Sequence, residues 1–150
     1  MSALWTQDFV EVAPDGATFD YEQFQRMFLA IDGEHPEEFM LTIMVWNSRG
    51  KFKTPTSEQM ERIREAARDP SFLRTYKEWT PQWRENFKAD QALQLKTMKV
   101  VGIEVDGDAA TARIELDSKT QEGIRHYAGT ISLRKVGGKW MICKSVFEYK

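Results

Sequence analysis

Residues 93–105, with the sequence LQLKTMKVVGIEV, alternate apolar and polar side chains. A period of two is typical of a β-strand that buries one face. The alternation changes phase at 100–102, where Gly102 can relieve the strain of one extra residue. We therefore predict a long strand over Leu93–Val105 that carries a β-bulge near its middle.

Three further alternating stretches follow, each separated from the last by a short turn that contains glycine. The turns lie at Asp106-Gly107-Asp108, at residues 118–123 and at Gly137-Gly138. Strands joined by such short turns pair as antiparallel neighbours. The sequence therefore predicts a four-stranded meander over 93–149, with one covered face and one face mostly exposed to water.

The upstream residues supply a short strand and a helix. Asp8–Ala13 alternates in the same way, and the following Pro14-Asp15-Gly16 is a turn sequence. Residues 20–31 open with Asp20 and Gln23 at the spacing of a capping box and carry apolar residues on one helical face. A strand over 8–13 and a helix over 20–31 are the result.

Residues 56–89 predict three helical segments with a large aromatic face. Thr56 and Gln59 form a second capping box, and Asp69-Pro70 ends the first segment because proline disfavours α geometry in the residue before it. The second segment ends before Pro81, which starts or kinks the third. The predicted sheet is the surface that would receive these helices.

Residues 36–48 admit two interpretations. Pro36 followed by two glutamates suits the first turn of a helix. The run FMLTIMVW at 39–46 is rich in aromatic and β-branched residues, which favour a strand. We favour the strand, with 51–53 beginning its hairpin partner, and keep the helix as the alternative.

Composition bounds the class of protein. A chain of 150 residues is the size of one average domain, so we expect a single domain over 1–150. A net charge of −2 gives no basic footprint for nucleic acid. No apolar run approaches the length that spans a bilayer, and no export signal is visible. The single cysteine, Cys143, fits a reducing compartment, so we expect a cytoplasmic protein.

Three motifs carry a resemblance to a known family. They are VDGDAATARI at Val105–Ile114, GKWMI at Gly138–Ile142, and LWTQDFVEV at Leu4–Val12 followed by a turn and a helix. In this order they resemble the nuclear-transport-factor-2-like (NTF2-like) superfamily, including SnoaL-like domains. The upstream half is atypical, because three predicted helical segments lie between helix 20–31 and the sheet. The resemblance implies an α+β fold in which a curved antiparallel sheet packs on helices as a cone with a pocket at its open end.

The resemblance also implies which residues to examine, since catalytic members use carboxylates, histidine or tyrosine inside the cone. Polar and aromatic residues in phase with the inward apolar side chains are the pocket candidates, together with two aromatic residues of the helices and one acidic residue that matches the SnoaL-like motif. They are Tyr127, Lys144, Glu148, Trp140, Tyr76, Trp79 and Asp8. His126 is in the opposite phase to Tyr127, so we expect it to face outward.

Two functions stay open. The chain shows no paired metal-ligand spacing, no phosphate loop and no nucleophile motif, so we expect neither a metal nor another cofactor. The first function is a binding domain for a small hydrophobic ligand or a peptide. The alternative is a SnoaL-like enzyme that performs isomerase, dehydratase or cyclase chemistry on a hydrophobic carbonyl compound. We also expect a homodimer through the outer sheet face, where Met141, Cys143, Phe147 and Tyr149 would lie.

Overall fold

The computed structural model describes residues 4–120 and 122–150. Over this range the chain is an α+β protein with four helices and a six-stranded, mixed, open and curved sheet, which confirms the predicted fold class. The described chain forms two compact units. The sheet unit comprises the residues up to Tyr21 together with Ala89–Lys150, and the helical unit comprises Glu22–Lys88.

The predicted C-terminal meander is present in the sheet unit. The strands are β1 (Trp5–Val12), β2 (Thr18–Asp20), β3 (Lys99–Asp106), β4 (Ala109–Thr120), β5 (Gly123–Val136) and β6 (Lys139–Tyr149). They lie in the order β2-β1-β6-β5-β4-β3. The only parallel neighbours among these described strands are β1 and β6, so the N-terminal strand adds to the end of the meander.

The sheet has two faces, which are named here by one residue each. On the Tyr127 face, Tyr127 of β5 lies between Leu116 of β4 and Tyr149 of β6. On the Arg113 face, Arg113 is followed by Thr130 on β5 and Val146 on β6. Leu116 and Ile114 are buried, whereas Arg113 is exposed, so the Tyr127 face carries the apolar core of this unit.

The predicted bulge in β3 is confirmed. Val100 pairs with Ile114 and Gly102 pairs with Arg113, which leaves Val101 as the extra residue. The predicted start of this strand at Leu93 was wrong, because the helix before it continues to Thr97. The hydroxyl of Thr97 donates to the Leu93 carbonyl and accepts from the Asp117 amide. These contacts favour the helix over the strand that the alternation of Leu93, Leu95 and Thr97 predicts.

A second bulge, in β6, changes the face of every residue that follows it. Ile142 pairs with Leu133 but Lys144 pairs with the adjacent Ser132, so Cys143 is the extra residue. Because a one-residue slip moves side chains to the other face, Lys144 and Glu148 lie on the Arg113 face. Both are exposed, and their predicted orientation toward Tyr127 was wrong.

The helices are α1 (Tyr21–Ile31), α2 (Pro36–Asn47), α3 (Ser57–Ala67) and α4 (Pro70–Thr97). The predicted helix over 20–31 is confirmed by α1, and the capping box of Thr56 and Gln59 is confirmed at the start of α3. None of the helices in the described ranges is both long and apolar enough to cross a membrane.

The preferred strand over 36–48 was wrong, and the alternative helix is present as α2. Pro36 occupies the first turn with Glu37 and Glu38, where a missing amide is no loss and carboxylates meet the positive end of the helix dipole. The buried residues Phe39, Leu41, Thr42 and Val45 lie on more than one side of α2. Such a helix shows little helical periodicity in its sequence.

The predicted start of a separate helix at Pro81 was also wrong, because α4 runs through this proline as one helix of 28 residues, and the alternative of a kink there stays a prediction. Proline removes one helical hydrogen bond. The neighbouring turns are held by packing, since Tyr76 and Thr80 are buried and the hydroxyl of Thr80 donates to the Tyr76 carbonyl.

The core of the helical unit is a cluster of aromatic rings around Phe39. Its ring centroid lies 5.0 Å from that of Tyr76, 5.3 Å from that of Trp83 and 6.1 Å from that of Phe72. The hydroxyl of Tyr76 accepts from the His35 amide (2.9 Å) and donates to the Ala30 carbonyl (3.2 Å). Tyr76 therefore joins the ends of α1 and α2 to α4 inside this unit.

Candidate functional site

A pocket of about 180 Å³ opens on the Tyr127 face of the sheet unit. It is lined by Glu11, Ala13, Pro14, Gln94, Leu116, Ser118, Tyr127 and Phe147, and we call it the Glu11 pocket. The lining residues come from β1 and the turn after it, from the last turns of α4, and from β4, β5 and β6. Pairing of adjacent strands thus brings together residues that are far apart in the sequence.

Glu11 is placed in this pocket by its register on β1. It pairs with the buried Ser145 of β6, whereas its neighbour Val12 pairs with Val146 on the Arg113 face. Burial raises the pKa of the Glu11 carboxyl from its usual range to about 7. Desolvation is the sole cause of this shift, so no opposite charge or hydrogen bond from the described residues stabilises the ionised form.

The apolar wall of the pocket depends on a glycine. The ring of Phe147 lies against Gly129 of β5, where an added Cβ would be 2.8 Å from a ring carbon of Phe147 and 3.1 Å from Ile114. Any larger residue at 129 would push the Phe147 ring out of its position. Gly129 therefore fixes where this wall stands.

The polar wall is held by Asp90 of α4. Its carboxylate accepts hydrogen bonds from the Ser118 hydroxyl (2.8 Å), the Lys119 amide (2.8 Å) and the Gln94 side chain (3.1 Å). Ser118 and Gln94 line the pocket, so Asp90 fixes the end of α4 and two polar lining groups at once.

Tyr127 is the one sequence-predicted candidate that lines the Glu11 pocket. Its ring centroid lies 5.4 Å from that of Tyr149, and burial raises the pKa of its hydroxyl. Trp140 also lies on the Tyr127 face, but at the opposite end of the β5–β6 hairpin, where it pairs with Lys135. The ammonium nitrogen of Lys135 is 5.5 Å from the centroid of the Trp140 ring.

The other predicted site residues lie elsewhere. Asp8 is exposed and accepts from the Arg134 guanidinium (3.0 and 3.2 Å) and from the Thr6 hydroxyl, contacts that lower its pKa. Tyr76 and Trp79 belong to the helical unit, where Tyr76 is core and Trp79 is 60% exposed. His126 pairs with Asp117 on β4, in the opposite phase to Tyr127.

Sequence reasoning missed Glu11, although its signal was present. Glu11 is in phase with Phe9 and Ala13 on β1, and Phe9 is 1% exposed. A carboxylate in the buried phase of a strand is rare unless it is paired.

Among the described residues, no group of three or more metal-ligating side chains is found.

No protein-family model matches this chain, and no curated protein matches it significantly. Solved structures do match. An NTF2-like protein with a cystatin-like fold from Novosphingobium aromaticivorans is 13% identical over 99% of this chain and 66% of its own, with a TM-score of 0.42. An NTF2-like protein of unknown function from Pseudomonas putida is 11% identical over 97% of this chain and 68% of its own, with a TM-score of 0.40.

A third match is more similar in sequence but covers less. An NTF2-like protein of unknown function from Shewanella baltica is 28% identical over 36% of this chain, with a TM-score of 0.31. The chain covers 41% of the length of that protein and 66% of the Novosphingobium one. Many structural neighbours of this chain are thus NTF2-like proteins with a cystatin-like fold, the likeness that its sequence indicates.

Proposed function

We propose that this protein binds a small, largely apolar molecule in the Glu11 pocket. The observation that carries the proposal is a desolvated carboxylate with no compensating partner among residues 4–120 and 122–150, in a pocket whose other walls include Leu116, Phe147 and Tyr127. Ligand sites commonly combine apolar walls with a few convergent polar groups. A bound hydrogen-bonding group would offset the cost of burying Glu11.

The volume limits the size of the ligand. An apolar cavity of about 150 Å³ is large enough for benzene, so a pocket of about 180 Å³ fits one ring with a short substituent. Below pH 7 the protonated Glu11 can donate to a carbonyl or ether oxygen. Above pH 7 the carboxylate accepts from a hydroxyl or an ammonium group.

Fluorine NMR tests this proposal with 4-fluorophenol and 4-fluorotoluene as probes. We expect the fluorine signals of both probes to broaden with the protein. At pH 8 the phenol should bind more tightly than the toluene, because its hydroxyl reaches Glu11. Ala13→Leu fills the pocket and should abolish both effects. Ala109→Leu makes the same change at an exposed strand position and should leave them unchanged. Equal broadening in the two variants, or none with the original protein, would overturn the proposal.

The second candidate is an enzyme that moves a proton beside a carbonyl group. It is favoured by the pKa of about 7 at Glu11, since general bases work best when their pKa is near the working pH. The Glu11 carboxylate would take a proton from the carbon next to the carbonyl, and the Tyr127 hydroxyl would donate to the enolate oxygen. Returning the proton to carbon restores both groups.

Cyclohexanone in D₂O separates the two candidates. Enzyme activity would exchange its α-hydrogens for deuterium faster than buffer does, and Glu11→Gln would remove that excess while preserving the binding of 4-fluorotoluene. Binding of 4-fluorotoluene without deuterium exchange would support ligand binding and contradict the enzyme.

A homodimer and a cytoplasmic location stay predictions. Two residues of the predicted dimer patch lie on the Tyr127 face and not on the outer one, because Phe147 lines the Glu11 pocket and Tyr149 pairs with Tyr127. The Arg113 face instead presents Arg113, Lys144 and Glu148, all exposed. A charged face of this kind disfavours a sheet-to-sheet contact.

A further inference from the structure

The outermost strand of the sheet, β3, exposes several large apolar side chains. It is the last strand in the sheet order and pairs only with β4 among the described strands. Val100, Ile103 and Val105 are 57%, 64% and 65% exposed. An edge strand presents a row of unpaired backbone donors and acceptors, and proteins usually protect it with charges, a β-bulge or a cover. The charges and the bulge of β3 lie in positions that fit a second copy of the same strand, as described below.

We propose that β3 pairs with β3 of a second copy of this chain, antiparallel and centred on Ile103. Pairing across a two-fold axis opposes each residue to one on the same sheet face. Val100, Ile103 and Val105 share the Tyr127 face, because their partners on β4 are Ile114, Ala112 and Ala110.

The bulge at Val101 makes this register consistent. With Ile103 at the axis, Glu104 lies opposite both Gly102 and the extra residue Val101 of the other copy. Val105 then lies opposite Val100. Without the extra residue in each copy, these positions would fall on opposite faces. The apolar contact is a row of three pairs: Val100 with Val105, Ile103 with Ile103, and Val105 with Val100.

The charges on β3 are complementary in the same register. Lys99 and Asp106 are the first and last residues of β3, and each would lie opposite the other across the axis, which gives two ion pairs. On the same face, the guanidinium of Arg113 fills the space over Gly102, where an added Cβ would lie 2.8 Å from its Nη2. Glu104 of the second copy would meet that guanidinium. Opposite charges at facing positions specify both register and partner.

Sedimentation of the full chain tests the proposal. We expect a concentration-dependent dimer that Ile103→Lys weakens about ten-fold or more, because two ammonium groups would meet at the axis. Ile124→Lys is the matched control, since Ile124 is 61% exposed but lies on β5. It should dimerise like the original protein. A monomer at about 0.5 mM, where even weak contacts are populated, or an Ile103→Lys variant that dimerises normally, would overturn the proposal.

Charge exchange tests the register separately. Lys99→Glu should weaken the dimer, and Lys99→Glu combined with Asp106→Lys should restore it. Ile103→Cys in a Cys143→Ser background should form a disulfide-linked dimer on oxidation, whereas Ile124→Cys in the same background should not. Failure of the double exchange to restore association, or equal cross-linking at 103 and 124, would contradict this register.

Discussion

One polar side chain of the helical unit, Tyr76, and one of the sheet unit, Glu11, differ in how their polar groups are partnered. In the helical unit, the Tyr76 hydroxyl both accepts and donates a hydrogen bond within the core. In the sheet unit, the Glu11 carboxyl is desolvated, and no group in the described part of the chain offsets that cost. A satisfied group rigidifies a core, whereas an unsatisfied one lowers stability and needs an explanation, of which a functional role is one. The comparison therefore separates a structural site from a candidate functional one.

The largest expected effect comes from breaking the helical core itself. Phe39 is 3% exposed and its ring packs against those of Tyr76, Trp83 and Phe72. Phe39→Ala removes these contacts and leaves a cavity, so we expect the free energy of unfolding to fall by about 3–5 kcal/mol. Urea titration followed by circular dichroism measures this. The exposed Trp79→Ala is the control, and a similar loss in both variants would mean that the cluster is not the core.

The next effect concerns Glu11 and depends on pH. Its carboxyl has a folded-state pKa of about 7 against 4.5 when solvated. Because the folded value is the higher one, the contribution of Glu11 to stability is most favourable below pH 4.5, falls as pH rises to about 7 and is level above it. The loss is up to about 3 kcal/mol, since each pKa unit corresponds to about 1.4 kcal/mol. Glu11→Gln should remove this slope and be more stable than the original protein at pH 8.

Urea midpoints from pH 4 to pH 8.5 give the pH profile of stability for Glu11→Gln and for the original protein, and the difference between these two profiles is the quantity of interest. Other titrating groups contribute equally to both proteins, so the difference reports Glu11 alone. The exposed Glu85→Gln is the matched control and should follow the original profile. Parallel profiles for Glu11→Gln and the original protein would show that the carboxyl is solvated, and would remove the basis of the proposed site.

Tyr76→Phe sharpens the contrast by removing a polar group of the opposite kind. The ring stays, but the His35 amide and the Ala30 carbonyl lose their partner. A buried group left unsatisfied costs about 1–3 kcal/mol, so this variant should be less stable at every pH from 5 to 8, whereas Glu11→Gln is more stable above pH 7. Tyr149→Phe, at a 55% exposed tyrosine, should show little change. An unchanged Tyr76→Phe would mean that the hydroxyl is not a structural group.

The two units also differ in how far their sequences predict them. The bulge in β3 was foreseen because a glycine marks the phase break, but the bulge at Cys143 carries no such mark. Lys144 and Glu148 were consequently assigned to the wrong face. In the helical unit, α2 was mistaken for a strand because it buries residues on several sides, which leaves no periodicity to recognise.

The candidate site depended on tertiary pairing more than on any local pattern. Tyr127 was identified from its phase on β5, and Glu11 had the same kind of signal on β1. Their convergence requires the parallel pairing of β1 with β6, which the sequence of neither strand indicates. Asp90 and Gln94 fall where a helix was expected to have ended, so their role beside the pocket could not be predicted.

The smallest expected effect tests Asp90, which supports the polar wall of the Glu11 pocket. Asp90→Asn keeps one oxygen for Ser118 and Lys119 and loses only the acceptor that faces Gln94, so stability should fall by less than about 1 kcal/mol. Asp90→Ala removes all three acceptors and should cost more. NMR spectra of the side-chain amide of Gln94 should shift in both variants. If Asp90→Ala changed neither stability nor this signal, the polar wall would be held without Asp90, and the contrast with the fully partnered Tyr76 would then rest on Glu11 alone.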